Sequence, residues 1–280
     1  TGATGNVTGA TIKALKSSGH ELIGLARDPA KAKDLGIEVR AGDLDRPRSL
    51  EGAFAGVDTA WVLSPPGPLA PFQSSNALWA ARQAGVKHVV RMSAIGAAHD
   101  APTLNGRMHA LSDAELAGSG IAFTILKPHF FMQNLMMAAK SIAEQGAMYW
   151  ALADAKLPMI DVADIGACAA KVLADPAKHA GKTYTLTGPA AVGMAEVAKT
   201  ISEAVGKPVQ YVAVPVSAAV ENLAKMGLDD FTQVALRDYF TAYSGGWQSA
   251  TTGEVERLTG RAPRSIADFV RAAAGAFGKR

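Results

Sequence analysis

Nine residues at the start of the chain, Thr1-Gly2-Ala3-Thr4-Gly5-Asn6-Val7-Thr8-Gly9, join a glycine-rich turn to a helix-forming segment. Gly2 and Gly5 let the backbone turn sharply and come close to a ligand, and free N–H groups at a helix start attract an anion. A pyrophosphate fits such a cradle. Gly-x-x-Gly also occurs in ordinary turns, so the weight comes from the residues downstream of it. Thr11 to Ser17 carries Ile12 and Leu15 on one face, Ser18-Gly19 stops the helix, and Glu21 to Ala26 is strand-like. Arg27 ends that strand. An acid at this position would bind a free ribose 2′-hydroxyl, whereas an arginine accepts a 2′-phosphate, so NADP(H) is favoured over NAD(H). The plainer alternative is a solvated Arg27 paired with Asp28.

These residues need a sheet to hold them. Ile37 to Ala41 alternates like a strand and ends in Gly42-Asp43-Leu44, where a carboxylate and an apolar side chain could flank an adenine ring. A helix is expected over Arg48–Phe54, a strand over Val57–Leu63 ending at Ser64-Pro65, and a helix over Phe72–Ala84. Val86 to Met92 forms the next strand and delivers Ser93. The helix Met108–Ala117, which carries His109, leads to the strand Ile121–Lys127, broken by Pro128. This alternation predicts an α/β fold, a Rossmann-type doubly wound parallel sheet with helices on both faces. A buried strand ordinarily precedes such a cradle, so one is expected before Thr1.

Past Pro128 the pattern changes. Phe130-Phe131-Met132-Gln133-Asn134-Leu135 is rich in large apolar groups just beyond a strand end, which suits Phe130, Phe131 and Met132 to a pocket for a flat apolar substrate; interior packing is the rival reading. Asp161 and Asp164 open a helix running to Asp175, and capping explains them more simply than a metal site does. Thr183 to Thr187 reads as a returning strand. The remainder is expected to be helical apart from one short strand. The division expected is a dinucleotide-binding domain at 1–130 and a smaller, mostly helical substrate lobe at 131–280, with 161–188 returning to the sheet.

Composition narrows the function classes. The chain has 280 residues, 49% apolar and 19% charged, with a net charge of +3 whose lysines and arginines are scattered, which argues against nucleic-acid binding. The single cysteine, Cys168, lies in an apolar helical run and reads as a buried thiol. Nothing approaches the roughly 18 apolar residues of a membrane span, and a cytoplasmic protein is the default expectation.

Taken together, Thr-Gly-Ala-Thr-Gly-Asn-Val at 1–7, Ala-Arg-Asp-Pro at 26–29, Gly-Asp-Leu at 42–44, Gly-Val-Lys-His-Val at 85–89, Phe-Thr-Ile-Leu-Lys-Pro at 123–128, Phe-Met-Gln-Asn-Leu at 131–135, Asp-Val-Ala-Asp-Ile at 161–165 and Leu-Thr-Gly-Arg-Ala-Pro at 258–263 cover nearly the whole length. In these motifs the chain resembles the NmrA-like branch of the atypical short-chain dehydrogenase/reductases, and within it the NADPH-dependent quinone and triphenylmethane dye reductases. The resemblance implies that Gly2, Ala3, Thr4, Gly5, Asn6 and Val7 hold the pyrophosphate and Arg27 the 2′-phosphate. It also implies Asp43 and Leu44 near adenine, Ser64 and Pro65 along the middle of the cofactor, and Ser93, His109, Phe131 and Asn134 around the nicotinamide.

Two departures stand out: Thr8 replaces the usual third glycine, which falls at Gly9, and Lys127 stands where relatives commonly carry Arg. The Tyr-x-x-x-Lys of typical superfamily members is also missing, since the corresponding helix reads Arg107-Met108-His109-Ala110-Leu111-Ser112-Asp113-Ala114-Glu115. Ketone chemistry needs a positioned acid; hydride transfer to a quinone or cationic dye needs mainly orientation. The expected activity is an NADPH-dependent reductase of a small conjugated acceptor, as a monomer or homodimer, with His109 and Ser93 as candidate catalytic groups and no metal. The alternative is a non-catalytic NADP(H)-binding redox sensor of the NmrA type.

Overall fold

Apolar runs of four to seven residues alternate with helices along the first half of the chain, and in the computed structural model, which describes residues 1–278, they form parallel strands. Helix α1 (Asn6–Leu15) leads to strands β1 (Ile23–Ala26), β2 (Glu38–Ala41) and β3 (Thr59–Val62); α2 (Ala70–Gln83), β4 (His88–Met92), α3 (Leu104–Gly118) and β5 (Ala122–Pro128) follow. Next come α4 (Ala139–Gln145), β6 (Ala147–Trp150), β7 (Lys156–Leu157), α5 (Val162–Ala174), β8 (Lys182–Leu186), β9 (Val192–Gly193), α6 (Met194–Val205) and β10 (Gln210–Ala213). Helices α7 (Val216–Lys225), α8 (Asp230–Ser244), α9 (Glu254–Thr259) and α10 (Ile266–Ala273) end the series.

The main sheet has the order β3-β4-β5-β8, all parallel, and β1 pairs in parallel with β2. Thr1 to Ala3 bridges the two: the Thr1 amine donates to the Trp61 carbonyl at 2.8 Å and the Ala3 N–H to the Leu25 carbonyl at 3.3 Å. Beneath this bridge a cavity of about 470 Å³ runs between β1 and β3, lined by Ile12, Leu25, Ala60 and Trp61 and reaching the amino-terminal ends of the strands at Glu21 and Asp58. It lies toward the edge opposite the loops that leave the strands.

One apolar core packs α2 against the sheet through Ala77, Ala81, Val62 and Val89. A second packs α5 through Ile165, Cys168 and Val172 against Val90, Leu126 and Tyr184. The close approach of α1 to α5 depends on Gly166, where a Cβ would stand 2.7 Å from the Ala10 backbone. Gly9, by contrast, faces open space, so the glycine that permits tight packing here lies on the partner helix. Thr8 is buried, accepts from Trp61 Nε1 at 3.1 Å and donates to the Thr1 carbonyl at 3.0 Å. A third core draws on residues from Met132 to Phe277.

Three expectations are corrected. The segment expected as a helix over Arg48–Phe54 is a 3₁₀ turn at Pro47–Leu50 followed by turns, because Gly52 and Gly56 adopt φ of +75° and +73° and break any helix. The later half is less helical than expected: β6 pairs in parallel with β10 and β7 antiparallel with β9. Met132 is an interior side chain at 1% exposure, which places it in the core and not at an open surface. Among the described residues no helix is long and apolar enough to cross a membrane.

Candidate functional site

In parallel α/β sheets ligands bind outside the carboxyl ends of the strands, where the connections diverge to opposite faces. Here the loop after β1 carries Arg27, that after β2 Asp43 and Leu44, that after β3 Ser64 and Pro65, that after β4 Ser93 and that after β5 Phe130 and Phe131. The residues picked out from sequence therefore gather at one end of their strands.

The cradle is shaped for an anion. Gly2 has φ of +64°, the Gly5 N–H donates to the Gly2 carbonyl at 2.9 Å, and a Cβ on Gly5 would stand 3.2 Å from that oxygen. Gly5 is the N-cap of α1, with no side-chain cap and no acid in the first turn. The helix thus keeps free N–H groups and an uncompensated positive dipole end. Arg27 is exposed and, among the described residues, makes no hydrogen bond or ion pair; its neighbour Asp28 caps the next turn by accepting from Ala30 N–H at 3.0 Å. The pairing of Arg27 with Asp28 is therefore absent from the structure. Bare N–H groups and an unpaired guanidinium on adjacent strand ends fit the pyrophosphate and 2′-phosphate of NADP(H). The Asp43–Asp45 loop is tied to α2 by Asn76 Nδ2 donating to the Leu44 carbonyl at 2.7 Å and Gln73 Nε2 to Asp45 at 2.8 Å.

At the ends of β4 and β5 lies a charged cluster that the sequence reading missed. Arg91 donates to Asp113 and, at 3.3 Å, contacts His109 Nδ1 and Ser74 Oγ; Lys127 Nζ lies 3.3 Å from Asp113. Ser93 Oγ donates to Asp113 at 2.8 Å and is itself buried, so its hydroxyl is committed to that carboxylate. Burial, then Arg91, then Lys127 hold the His109 imidazole down to about 3, which makes it neutral across the physiological range. The available signal was Arg91 itself, a charge inside the apolar strand His88-Val89-Val90-Arg91-Met92.

Next to it stands an aromatic wall of which the sequence reading named only Phe130. Tyr239 and Tyr243 stack at 5.5 Å, Tyr243 lies 5.6 Å from Trp247, and Phe130 meets Trp150 and Tyr243 edge-on at 5.6 and 6.2 Å. Spacing of four residues along and just past α8 was the sequence signal. Asn105 on α3 donates to the Tyr239 hydroxyl at 2.6 Å. Phe131 packs on the α5 core and bridges to Ile160, while Asn134 is half-buried on the 3₁₀ segment Met132–Ala138. Asp161 caps α5, Asp164 pairs with Arg264, and Cys168 is buried with its thiol pushed up to about 12. Among the described residues no group of three or more His, Cys, Asp or Glu could hold a metal ion.

The sequence profile of the NmrA-like family matches residues 1–260. The chain is 37% identical over 280 residues to the NAD(P)H azoreductase of Xenophilus azovorans, covering 99% of this chain and 98% of that one. The crystal structure of the NADPH-dependent quinone oxidoreductase from Escherichia coli in complex with NADPH superposes with a TM-score of 0.88 at 28% identity, covering 97% of both chains. That of the Citrobacter sp. triphenylmethane reductase in complex with NADP(H) gives 0.87 at 27% identity, covering 97% of this chain and 98% of that one.

Proposed function

The chain belongs to the NmrA-like family, and from that premise we propose that it is an NADPH-dependent reductase that passes hydride to a quinone or a similar conjugated acceptor. The observation that carries the reading is the uncapped start of α1 with the unpaired Arg27 on the neighbouring strand end. Gly2–Val7 would hold the pyrophosphate, Arg27 the 2′-phosphate, Asp43 and Leu44 the adenine side, and Ser64 and Pro65 the middle of the cofactor. Residues 1–130 would form the nucleotide-binding domain and 131–280 the lobe that shapes the acceptor pocket.

When bound, NADPH supplies the hydride. The protein's own part is to hold the acceptor flat against the reactive ring and to exclude water, and orientation of this kind is a large share of the catalysis such transfers need. Phe130 and Tyr239 would supply aromatic surface for a planar acceptor, with the buried Tyr243 packed behind them, and Phe131 and Asn134 would border the nicotinamide. The named relatives act on quinone, azo and dye compounds, which share an extended conjugated system that delocalises the incoming electrons.

The test is direct. Purified protein mixed with NADPH and a panel of small quinones and azo dyes should consume the nicotinamide absorbance above background. Measurable NADPH binding without turnover on any member of the panel would favour the non-catalytic sensor.

A further inference from the structure

His109 differs from an ordinary buried histidine in what holds it. Its Nδ1 lies 3.3 Å from Arg91 Nη2, and a guanidinium can only donate. Nδ1 must therefore accept, and in a neutral ring the proton then sits on Nε2. Among the described residues Nε2 has no protein partner, and the half-buried ring leaves that N–H free at the end of β4 and β5. His129 supplies an internal comparison: its Nδ1 accepts from the Phe130 N–H at 2.7 Å, but its Nε2–H is spent on the Gln248 carbonyl at 3.0 Å. Of the two fixed imidazoles, one keeps its donor for something else.

The charges around His109 reinforce this. Arg91 on β4 and Lys127 on β5 carry two positive charges against the single carboxylate of Asp113, four residues further along α3. Of the other charged groups on the packed elements, Glu115 accepts from Ser75 and also acts on Arg91, and Asp238 on α8 accepts from the Leu104 N–H and lies 3.9 Å from Arg107. The two cations lie nearest the ring, since Arg91 and Lys127 both act on His109.

We propose that His109 is a catalytic hydrogen-bond donor locked in its Nε2–H form by Arg91, and that it stabilises the acceptor oxygen on which negative charge develops while the proton that completes reduction comes from water. This rests on the hydride-transfer reading above. In balance, the acceptor gains a hydride and its electron pair, NADPH becomes NADP⁺, charge collects on the acceptor oxygen, and a water proton neutralises it to the reduced product. His109 neither gains nor loses a proton, and Arg91 acts as a positioning residue. A fixed donor aimed at developing charge is worth about 100- to 1,000-fold in comparable sites.

The experiment uses ¹⁵N-histidine-labelled protein without cofactor, alongside kinetics with NADPH and a quinone. Long-range ¹H–¹⁵N spectra should show His109 as the neutral Nε2–H form throughout about pH 5 to 8. A ring protonated on Nδ1, or imidazolium near neutral pH, overturns the proposal. Arg91→Met, which leaves Asp113 paired with Lys127 and Ser93, should release the tautomer and bring the Nδ1–H form of His109 into the spectrum; a ring that stays wholly Nε2–H overturns the role given to Arg91. His109→Phe should lower kcat about 100-fold, and His109→Gln, which keeps an N–H donor, should recover at least a tenth of the wild-type rate. Equal rates in all three proteins would overturn the donor role. If the wild type oxidises no NADPH, the hydride reading fails while the imidazole spectrum stands on its own.

Discussion

The two halves of the strand-end rim are built on opposite principles. On the β1–β3 side the polar groups are left unpaired: α1 begins without a cap, its first turn has no acid, and Arg27 has no partner among the described residues. On the β4–β5 side nearly every polar group is answered within the protein, with Asp113 taking Arg91, Lys127 and Ser93 together. Exposed groups left unpaired are available to a ligand, whereas a closed network holds a fixed field before any ligand arrives. The first half is suited to gripping an anion and the second to shaping charge.

The sharpest way to break this contrast is to answer the cradle from within. Gly5→Asp places a carboxylate at the N-cap and should lower NADPH affinity by at least about 100-fold through repulsion and occupied N–H groups, with a change in stability of no more than about 1 kcal/mol, read by calorimetry and thermal melting. Next in size, Arg27→Ala should weaken NADPH by about 10- to 100-fold, the worth of a charge-assisted pair, and NADH by less than about threefold in the same titration. Equal losses for the two cofactors would make Arg27 a general surface charge.

Stability against pH probes the closed half. His109 and His129 are held down to about 3 and about 4, chiefly by burial, against an ordinary value of 6.5. Below pH 6.5 the unfolded chain binds protons that the folded chain refuses, so stability should be flat above that point and fall as the pH drops toward 4, by roughly 2 kcal/mol or more at pH 5. Chemical denaturation at several pH values measures it. Gly166→Ala, away from the rim, should cost about 1–3 kcal/mol by overpacking α1 against α5, without changing cofactor choice. Thr8→Gly should cost about 1–2 kcal/mol through the lost Trp61 and Thr1 hydrogen bonds and a glycine inside α1, again without changing cofactor choice.

The same division governs how much could be read from the sequence. The glycine turn, the helix start and the strand ends were legible because they depend on local features: glycines at turns, an N-terminal helix start, apolar runs that stop at Ser or Pro. The Arg91–Asp113–Lys127 cluster depends on three elements meeting, and nothing local announces which charges will pair. Thr8 shows the limit well. Its departure from the usual glycine has no partner visible in the sequence, and the structure answers it with a hydrogen bond from Trp61, 53 residues away in sequence. Strand β6 was missed for the same reason, since it is four residues long and is stabilised by a partner some 60 positions distant, whereas its partner β10 is the one short strand expected in this half.

The central claim is that the open half of the rim takes a dinucleotide. Isothermal titration of the purified protein with NADPH should show one site per chain, weakened by Arg27→Ala and abolished by Gly5→Asp, while both variants keep the wild-type fold by circular dichroism. Absence of binding to the wild type, or binding that neither substitution alters, would contradict it.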